Sequence, residues 1–347
     1  ATGPINLLLH SLFSEVDISL NGTTVTNSNN TYPYRAYLEN VLSYGPAAKN
    51  SQLTSALYYK DTAGYMENTN PHDNATRNAG LKSRSTFTAG NRVVDMIGCI
   101  HSDLFFQDRY LLNDIGLSIR LTRSKDAFCL MGANDATFKV KIHECKLLVR
   151  KVHLSPSVFL AHAKALEIGN AKYPIRRVVC KTFTVPTGNL NVSQESLFSG
   201  QLPTRIVIGC VDNDAFNGAY DKNPFNFKHM NATQVKLYLD GQQQTMKPLT
   251  LNYATRSSIE GFHTLFSGTG KLQKDEGNDI SRGDFDSGYA LYAFDLTPDM
   301  AEVDHFNLAK TGNVRLDMTF SQALANTINV IAYGEFESII EVDKSRN

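Results

Sequence analysis

The strongest constraint on this chain is that it matches itself. Val16-x-Ile18-x-Leu20-Asn21-Gly22 returns as Val235-x-Leu237-x-Leu239-Asp240-Gly241, an offset of 219 residues (235 − 16). In each copy apolar and polar residues alternate, the period of a half-buried strand. Asn-Gly or Asp-Gly then supplies the positive φ angles of a type I′ hairpin turn. Tyr34 and Tyr253 keep the same offset, and each leads into a helical pattern closed by a glycine, Gly45 or Gly268. Later, Leu117-Ser-Ile-Arg-Leu-Thr corresponds to Val314-Arg-Leu-Asp-Met-Thr, and a long final strand follows in both halves. Alternation alone recurs by chance. Hairpin, tyrosine, helix and two late strands in one order do not, and they imply a duplicated β unit.

Between the two copies lies Leu154–Tyr173, with Ser155 as an N-cap, Pro156 at the first helical position and Gly169 placed for a left-handed C′ residue. Val158, Phe159, Ala161, Ala163, Ala165 and Leu166 give it an apolar stripe. A chain of 347 residues is long enough for two domains. The expected organisation is therefore a first β domain over 1–154, a connecting helix and linker over 155–171, and a second β domain over 172–347. Further strands are expected at Arg92–His101, Ile175–Val185, Arg205–Val211, Tyr289–Leu296, Asn313–Phe320 and Asn326–Glu337. Phe138–Leu154 reads as a long strand whose apolar phase shifts midway, as at a bulge. Residues 46–90, polar and rich in Gly, Asn and Thr, read as an excursion loop outside the core. Many short antiparallel strands with small helices between them define an all-β class, two jelly rolls in tandem.

The copies are unequal at their starts. About 60 residues of strand (172–234) precede the second hairpin, and only 15 precede the first. Equivalence of the halves predicts that the first lacks its opening strands and that the native chain is longer at its N-terminus.

Composition excludes several functions. Lys+Arg and Asp+Glu each number 34, so no net charge draws the chain to nucleic acid or to an anionic membrane. Cys99, Cys129, Cys145, Cys180 and Cys210 are odd in number and widely spaced, without a C-x-x-C pair, so neither a disulfide framework nor a zinc site is indicated. Most fall in apolar strands, as expected of buried, reduced thiols. N-x-S/T triplets, at Asn21, Asn74, Asn191 and Asn231 among them, are expected by chance in Asn-rich loops and are discounted. No apolar run reaches the 18 or so residues of a membrane-spanning helix.

Motifs of catalysis are not found either. Ser267-Gly-Thr-Gly-Lys271 has Leu265 and Leu272 where a phosphate loop needs Gly and Ser/Thr. The nine histidines are scattered, and satisfied structural roles are expected for them. Asp275, Glu276, Asn278, Asp279, Asp284 and Asp286 form an acidic stretch without the spacing of a calcium loop. Arg282-Gly283-Asp284 is an R-G-D triplet of the kind that engages integrins when displayed on a loop. No catalytic, cofactor or metal residue is assigned, and no cofactor is expected. A large, neutral, duplicated β protein of this kind reads as a building block or binder and not as an enzyme.

Ten segments carry a resemblance, among them NLLLHSLFSEVDISLNG (6–22), YPYRAYLE (32–39), RSKDAFCLMG (123–132), LSPSVFLAHAKALE (154–167), GQLPTRIVIGCVDNDAFNG (200–218) and KNPFNF (222–227). The rest are YLDGQQ (238–243), HTLFSGTG (263–270), GYALYAFDLTPD (288–299) and IIEVD (339–343). The chain resembles the double-jelly-roll major capsid proteins of Polinton/Maverick elements and adinto-like viruses. The resemblance implies a structural protein of the virion that forms homotrimers. Three chains of two rolls each would make a pseudo-hexagonal capsomer that tiles an icosahedral shell around double-stranded DNA. It also implies neighbouring capsomers, a vertex protein and minor capsid proteins as partners, synthesis in the host cytoplasm, and an upstream segment that completes the first roll. The alternative is a tandem β-sandwich carbohydrate-binding or adhesion protein, which the acidic stretch and the R-G-D triplet would serve.

Overall fold

The computed structural model describes residues 2–73, 77–135, 137–243, 248–297 and 308–346. Asn74 and the end of the 288–299 segment, Pro298-Asp299, lie outside the described residues. The first half contains β1 (Gly3–Pro4), α1 (Leu8–Ser11), β2 (Phe13–Leu20), β3 (Thr23–Thr26), α2 (Tyr32–Ser43) and α3 (Pro46–Lys49). It continues with α4 (Ala79–Thr88), β4 (Leu117–Arg123), α5 (Asp126–Cys129), β5 (Leu130–Met131) and the connecting helix α6 (Pro156–Ile168). The second half contains β6 (Ala171–Val185), β7 (Asn191–Gln201), β8 (Arg205–Asp212), α7 (Asn213–Asn217), β9 (Ala232–Leu239), β10 (Gln242–Gln243) and β11 (Leu249–Thr250). Then come α8 (Ile259–Ser267), α9 (Arg282–Phe285), β12 (Leu291–Asp295), β13 (Thr311–Phe320) and β14 (Ile328–Val342).

The second half is a two-sheet sandwich. One sheet runs β12-β8-β14-β6, and the other runs β10-β9-β13-β7 with β11 also on β9. The sequence explains the assignment. Val314, Leu316, Met318 and Phe320 alternate inward along β13, whereas Ile206, Val207, Ile208, Cys210 and Val211 of β8 are all buried, as in a strand covered on both faces. The sheets approach closely at Gly334 on β14, where an added Cβ would lie 2.8 Å from the Phe198 ring of β7. Only a residue without a side chain fits beneath that ring. β7 itself is not evident in the sequence, because its Asn, Ser, Gln and Glu side chains stay largely exposed and only Leu197 and Phe198 are buried.

The first half repeats part of this sandwich residue for residue. β2 pairs antiparallel with β4 through Val16↔Leu121, Ile18↔Ile119 and Leu20↔Leu117. β9 pairs with β13 through Val235↔Met318, Leu237↔Leu316 and Leu239↔Val314, the same ladder one repeat later. Both turns have the expected backbone, with φ of 46° and 85° at Asn21-Gly22 and 49° and 79° at Asp240-Gly241. The duplication is thus written in the register as well as in the residues.

Several expectations need correction. Arg92–His101 and Phe138–Leu154 are not strands. In the second half the final strand β14 is held between β6 and β8, and β13 carries β7 on its far side. No described strand of the first half occupies those positions, so the segments that would pair there have no ladder to join. Residues 46–90 are not an excursion outside the core. Ala56, Leu57, Tyr58, Met66 and Leu81 are buried, together with Asp61 and Arg84. The connecting helix forms, but Gly169 is extended (φ −169°), not left-handed, and the Ser155 hydroxyl pairs with Ser157 without capping the backbone. Its apolar stripe is mostly exposed, with Leu166 buried.

One continuous hydrophobic cluster runs through both halves, from Ile5, Tyr34 and Tyr58 to Phe225, Leu265 and Val330. A second, small cluster lies around Ile18, Leu20 and Leu104.

Candidate functional site

The residues that position everything else lie at the junction of the halves, where three ties combine. The first is aromatic. Tyr37 of α2 stacks on Phe225 at 4.1 Å between ring centroids, and Tyr34 stacks on Phe216 at 5.5 Å. Two of the segments that carry the resemblance, 32–39 and 222–227, therefore meet face to face. Burial pushes the Tyr34 and Tyr37 hydroxyls far above their usual range.

The second tie is a buried ion pair. Arg84 of α4 and Asp61 have no exposed side-chain surface and meet at 2.7 Å. Arg84 also donates to the carbonyls of Pro4 (2.8 Å) and Tyr59 (2.7 Å). Asp61 accepts from the Asn223 amide of the second half (3.2 Å), and its carbonyl accepts from the Tyr289 hydroxyl (2.8 Å). The charges are thus neutralised and hydrogen-bonded, the condition under which such a pair is tolerated inside.

The third tie caps a sheet edge. β6 ends its sheet, so its outer backbone groups face no strand among the described residues. Asp103 accepts the Val178 N–H (3.1 Å), Arg109 donates to the Lys172 carbonyl (2.5 Å), and the Leu112 N–H donates to the Tyr173 hydroxyl (3.1 Å). Asp103 is in turn bound by Arg35 of α2 (2.5 Å), which also holds Glu39 (2.9 Å). None of these charged residues was singled out from sequence. An isolated Arg or Asp in a polar stretch reads as solvated, and only the fold shows its partner.

The R-G-D triplet is built into the structure at Asp284, although Arg282 and Gly283 are exposed. It forms α9, where the Asp284 carboxylate accepts the Ser281 N–H and the Lys60 ammonium, both at 2.9 Å, while the Ser281 hydroxyl accepts the Asp284 N–H. Burial pushes the Asp284 carboxyl up, but these donors outweigh it and hold it below the ordinary range. Arg282 donates to the Arg256 carbonyl (3.1 Å). The acidic stretch is likewise engaged, since Asn278 accepts from Lys49 through its carbonyl (2.5 Å) and Asp279 lies 3.8 Å from Lys60. Among the described residues no group of three or more His, Cys, Asp or Glu side chains is arranged to hold a metal ion. No helix among them is long and apolar enough to cross a membrane. Cys129, Cys180 and Cys210 are buried, whereas Cys99 and Cys145 are exposed, against the expectation of burial for strand-borne thiols.

What the molecule presents outward is apolar surface. Phe138, Leu147, Leu148, Val149 and Val152 are more than half exposed, Leu148 to 77% and, at the end of α6, Ile168 to 92%. These residues lie in 138–154, the part of the first half that has no ladder, and in the connecting helix α6.

A two-sheet antiparallel sandwich whose hairpin-and-strand ladder recurs in the other half is the pattern of the double jelly roll, and the chain has this all-β fold. The chain is similar to a Faustovirus major capsid protein, with a TM-score of 0.51, 8% identity, and cover of 98% of this chain and 73% of that one. It is equally similar to PBCV-1 VP54 as fitted into a cryo-EM reconstruction of the virophage Sputnik, with a TM-score of 0.51, 11% identity, and cover of 98% and 84%. Among curated proteins it is 26% identical over 351 residues to an uncharacterized protein of Caenorhabditis elegans, covering 99% of this chain and 80% of that one. No family model matches.

Proposed function

We propose that this chain is a viral major capsid protein, a structural and non-catalytic component of a virion shell. The observation that carries the proposal is the double jelly roll itself, shared over 98% of the chain with a Faustovirus major capsid protein. The exposed apolar residues along 138–168 support it, because a protein whose work is assembly must leave such surface open until neighbours cover it. Two rolls, over 1–154 and 172–347, joined by a helix and linker at 155–171, give six similar units in a homotrimer, which would make a pseudo-hexagonal capsomer. Such capsomers would tile an icosahedral shell around double-stranded DNA, with a vertex protein and minor capsid proteins as further partners. The resemblance of the ten segments supports reading it, in this proposal, as a capsid protein of the Polinton/Maverick and adinto-like kind. Adhesion through the R-G-D triplet is disfavoured by the two donors that already occupy Asp284.

Light scattering and negative-stain microscopy of the purified protein test the proposal. The expected result is a trimer with a hexagonal outline, or closed shells, and loss of both when Leu148 and Val149 are changed to Lys. A compact monomer that is indifferent to concentration would overturn it.

A further inference from the structure

The chain contains two Asn-Gly pairs, Asn21-Gly22 and Asn217-Gly218. In such a pair the backbone attacks the side-chain amide with little hindrance, because glycine sets no side chain beside the attacking nitrogen. The fold treats the two pairs differently. Asn21 stands in the turn between β2 and β3, where its amide oxygen accepts the Gly116 N–H (2.6 Å) and its amide nitrogen donates to the Arg346 carbonyl. Both ends of that amide are held, so its carbon is kept from swinging onto the Gly22 nitrogen. Asn217 ends α7 with its side chain exposed and, among the described residues, without a hydrogen bond. It lines an open polar cleft with Asn134, Asp214, Asp221 and Lys222, where water has access. The Gly218 N–H donates to the Ala215 carbonyl at 3.2 Å, a single long bond at the end of a five-residue helix, where such bonds open readily. Glycine is also required at 218, since its φ is 91° and an added Cβ would lie 3.0 Å from the Phe128 nitrogen.

We infer that Asn217-Gly218 is a self-modification site, at which the chain converts its own side-chain amide to a carboxylate. The Gly218 nitrogen gives up its proton and attacks Asn217 Cγ. The new N–Cγ bond forms, the Cγ–Nδ2 bond breaks, and the nitrogen leaves with a proton as ammonia. The resulting five-membered succinimide takes up water and opens at either carbonyl, to aspartate or to isoaspartate. Nothing is oxidised or reduced. Both products place a new negative charge in the cleft that Asp214 and Asp221 already line. In isoaspartate the main chain also runs through the former side chain and gains a carbon. That carbon falls between Phe216, which stacks on Tyr34, and Phe225, which stacks on Tyr37. The modification therefore lengthens the chain between the two aromatic ties that join the halves.

Prolonged incubation of the purified protein at mildly alkaline pH tests this, read by peptide mass mapping and by labelling with an isoaspartate O-methyltransferase and S-adenosylmethionine. In the native protein Asn217 is expected to convert at least about tenfold faster than Asn21. In urea the two should convert within about threefold of each other, because only the fold holds Asn21. Asn217→Gln cannot close the five-membered ring and should remove most of the native-state label. No conversion at Asn217 in the native protein, or conversion at Asn21 that is as fast, would overturn the inference. A label that persists in Asn217→Gln would do the same, as would an Asn21 that stays slow in urea. The wild-type comparison of the two sites decides whether or not the variant folds.

Discussion

Arg84 and Asp61 meet at 2.7 Å with no exposed side-chain surface on either, and between them they bind Pro4, Tyr59 and Asn223. Removing one partner leaves the other charge buried and unpaired. Arg84→Met or Asp61→Leu should therefore cost about 3–5 kcal/mol each, read from urea unfolding. The double variant should cost clearly less than the sum, because it strands no charge. Additive losses would show that the pair is not coupled.

Glu39 gives the fold an acid dependence. Burial pushes its carboxyl up, but Arg35 and His101 prevail and bring it down to about 2 from an ordinary 4.5. A carboxyl depressed by folding stabilises above its unfolded pKa and loses that contribution as pH falls through the folded one. Stability should thus decline between about pH 4.5 and 2, by about 2 kcal/mol after allowing for the group's partial exposure. Glu39→Gln should flatten this part of the profile, and an unchanged slope would assign it elsewhere.

Thiol reactivity reports the same architecture without a mutation. Burial pushes Cys129, Cys180 and Cys210 up to about 12, whereas Cys99 and Cys145 are exposed. A small disulfide reagent should label two thiols quickly in the native protein and five after unfolding. Fast labelling of a third would mean that the junction opens.

Asp284→Ala removes a capping box and the Lys60 bond together. It should cost about 1 kcal/mol by denaturant titration. Cell attachment to coated protein should be the same for this variant and the wild type. A drop in attachment at unchanged stability would restore the adhesion reading.

Gly334→Ala should be destabilising by about 1–3 kcal/mol, since the new methyl would lie 2.8 Å from the Phe198 ring. Phe198→Leu in the same chain should recover part of that loss. No recovery would place the strain in the backbone of β14.

The hairpins were legible because Asn21-Gly22 and Asp240-Gly241 encode their turns in two residues. β8 and β14 were legible because burial on both faces requires unbroken apolar runs. β7 was not, since Asn191, Ser193 and Gln194 pair through their backbones and leave no apolar trace. Phe138–Leu154 has the residues of a strand, but a strand also needs a neighbour, and that information lies elsewhere in the chain. The junction was hidden for a related reason. Arg35, Asp61, Arg84 and Asp103 are polar residues in polar stretches until their partners, distant in sequence, close around them.

The main core, which runs through both halves, has a consequence for how such chains can be inherited. Two copies of a gene segment can drift apart freely only while each can be exchanged without regard to the other. Here Tyr37 rests on Phe225 and Asp61 on Asn223, so a recombinant that joins one lineage's first half to another's second half brings together surfaces never selected as a pair. The duplicated halves have become one unit of descent, and exchange between lineages should survive at the chain's ends and surface loops sooner than at its middle.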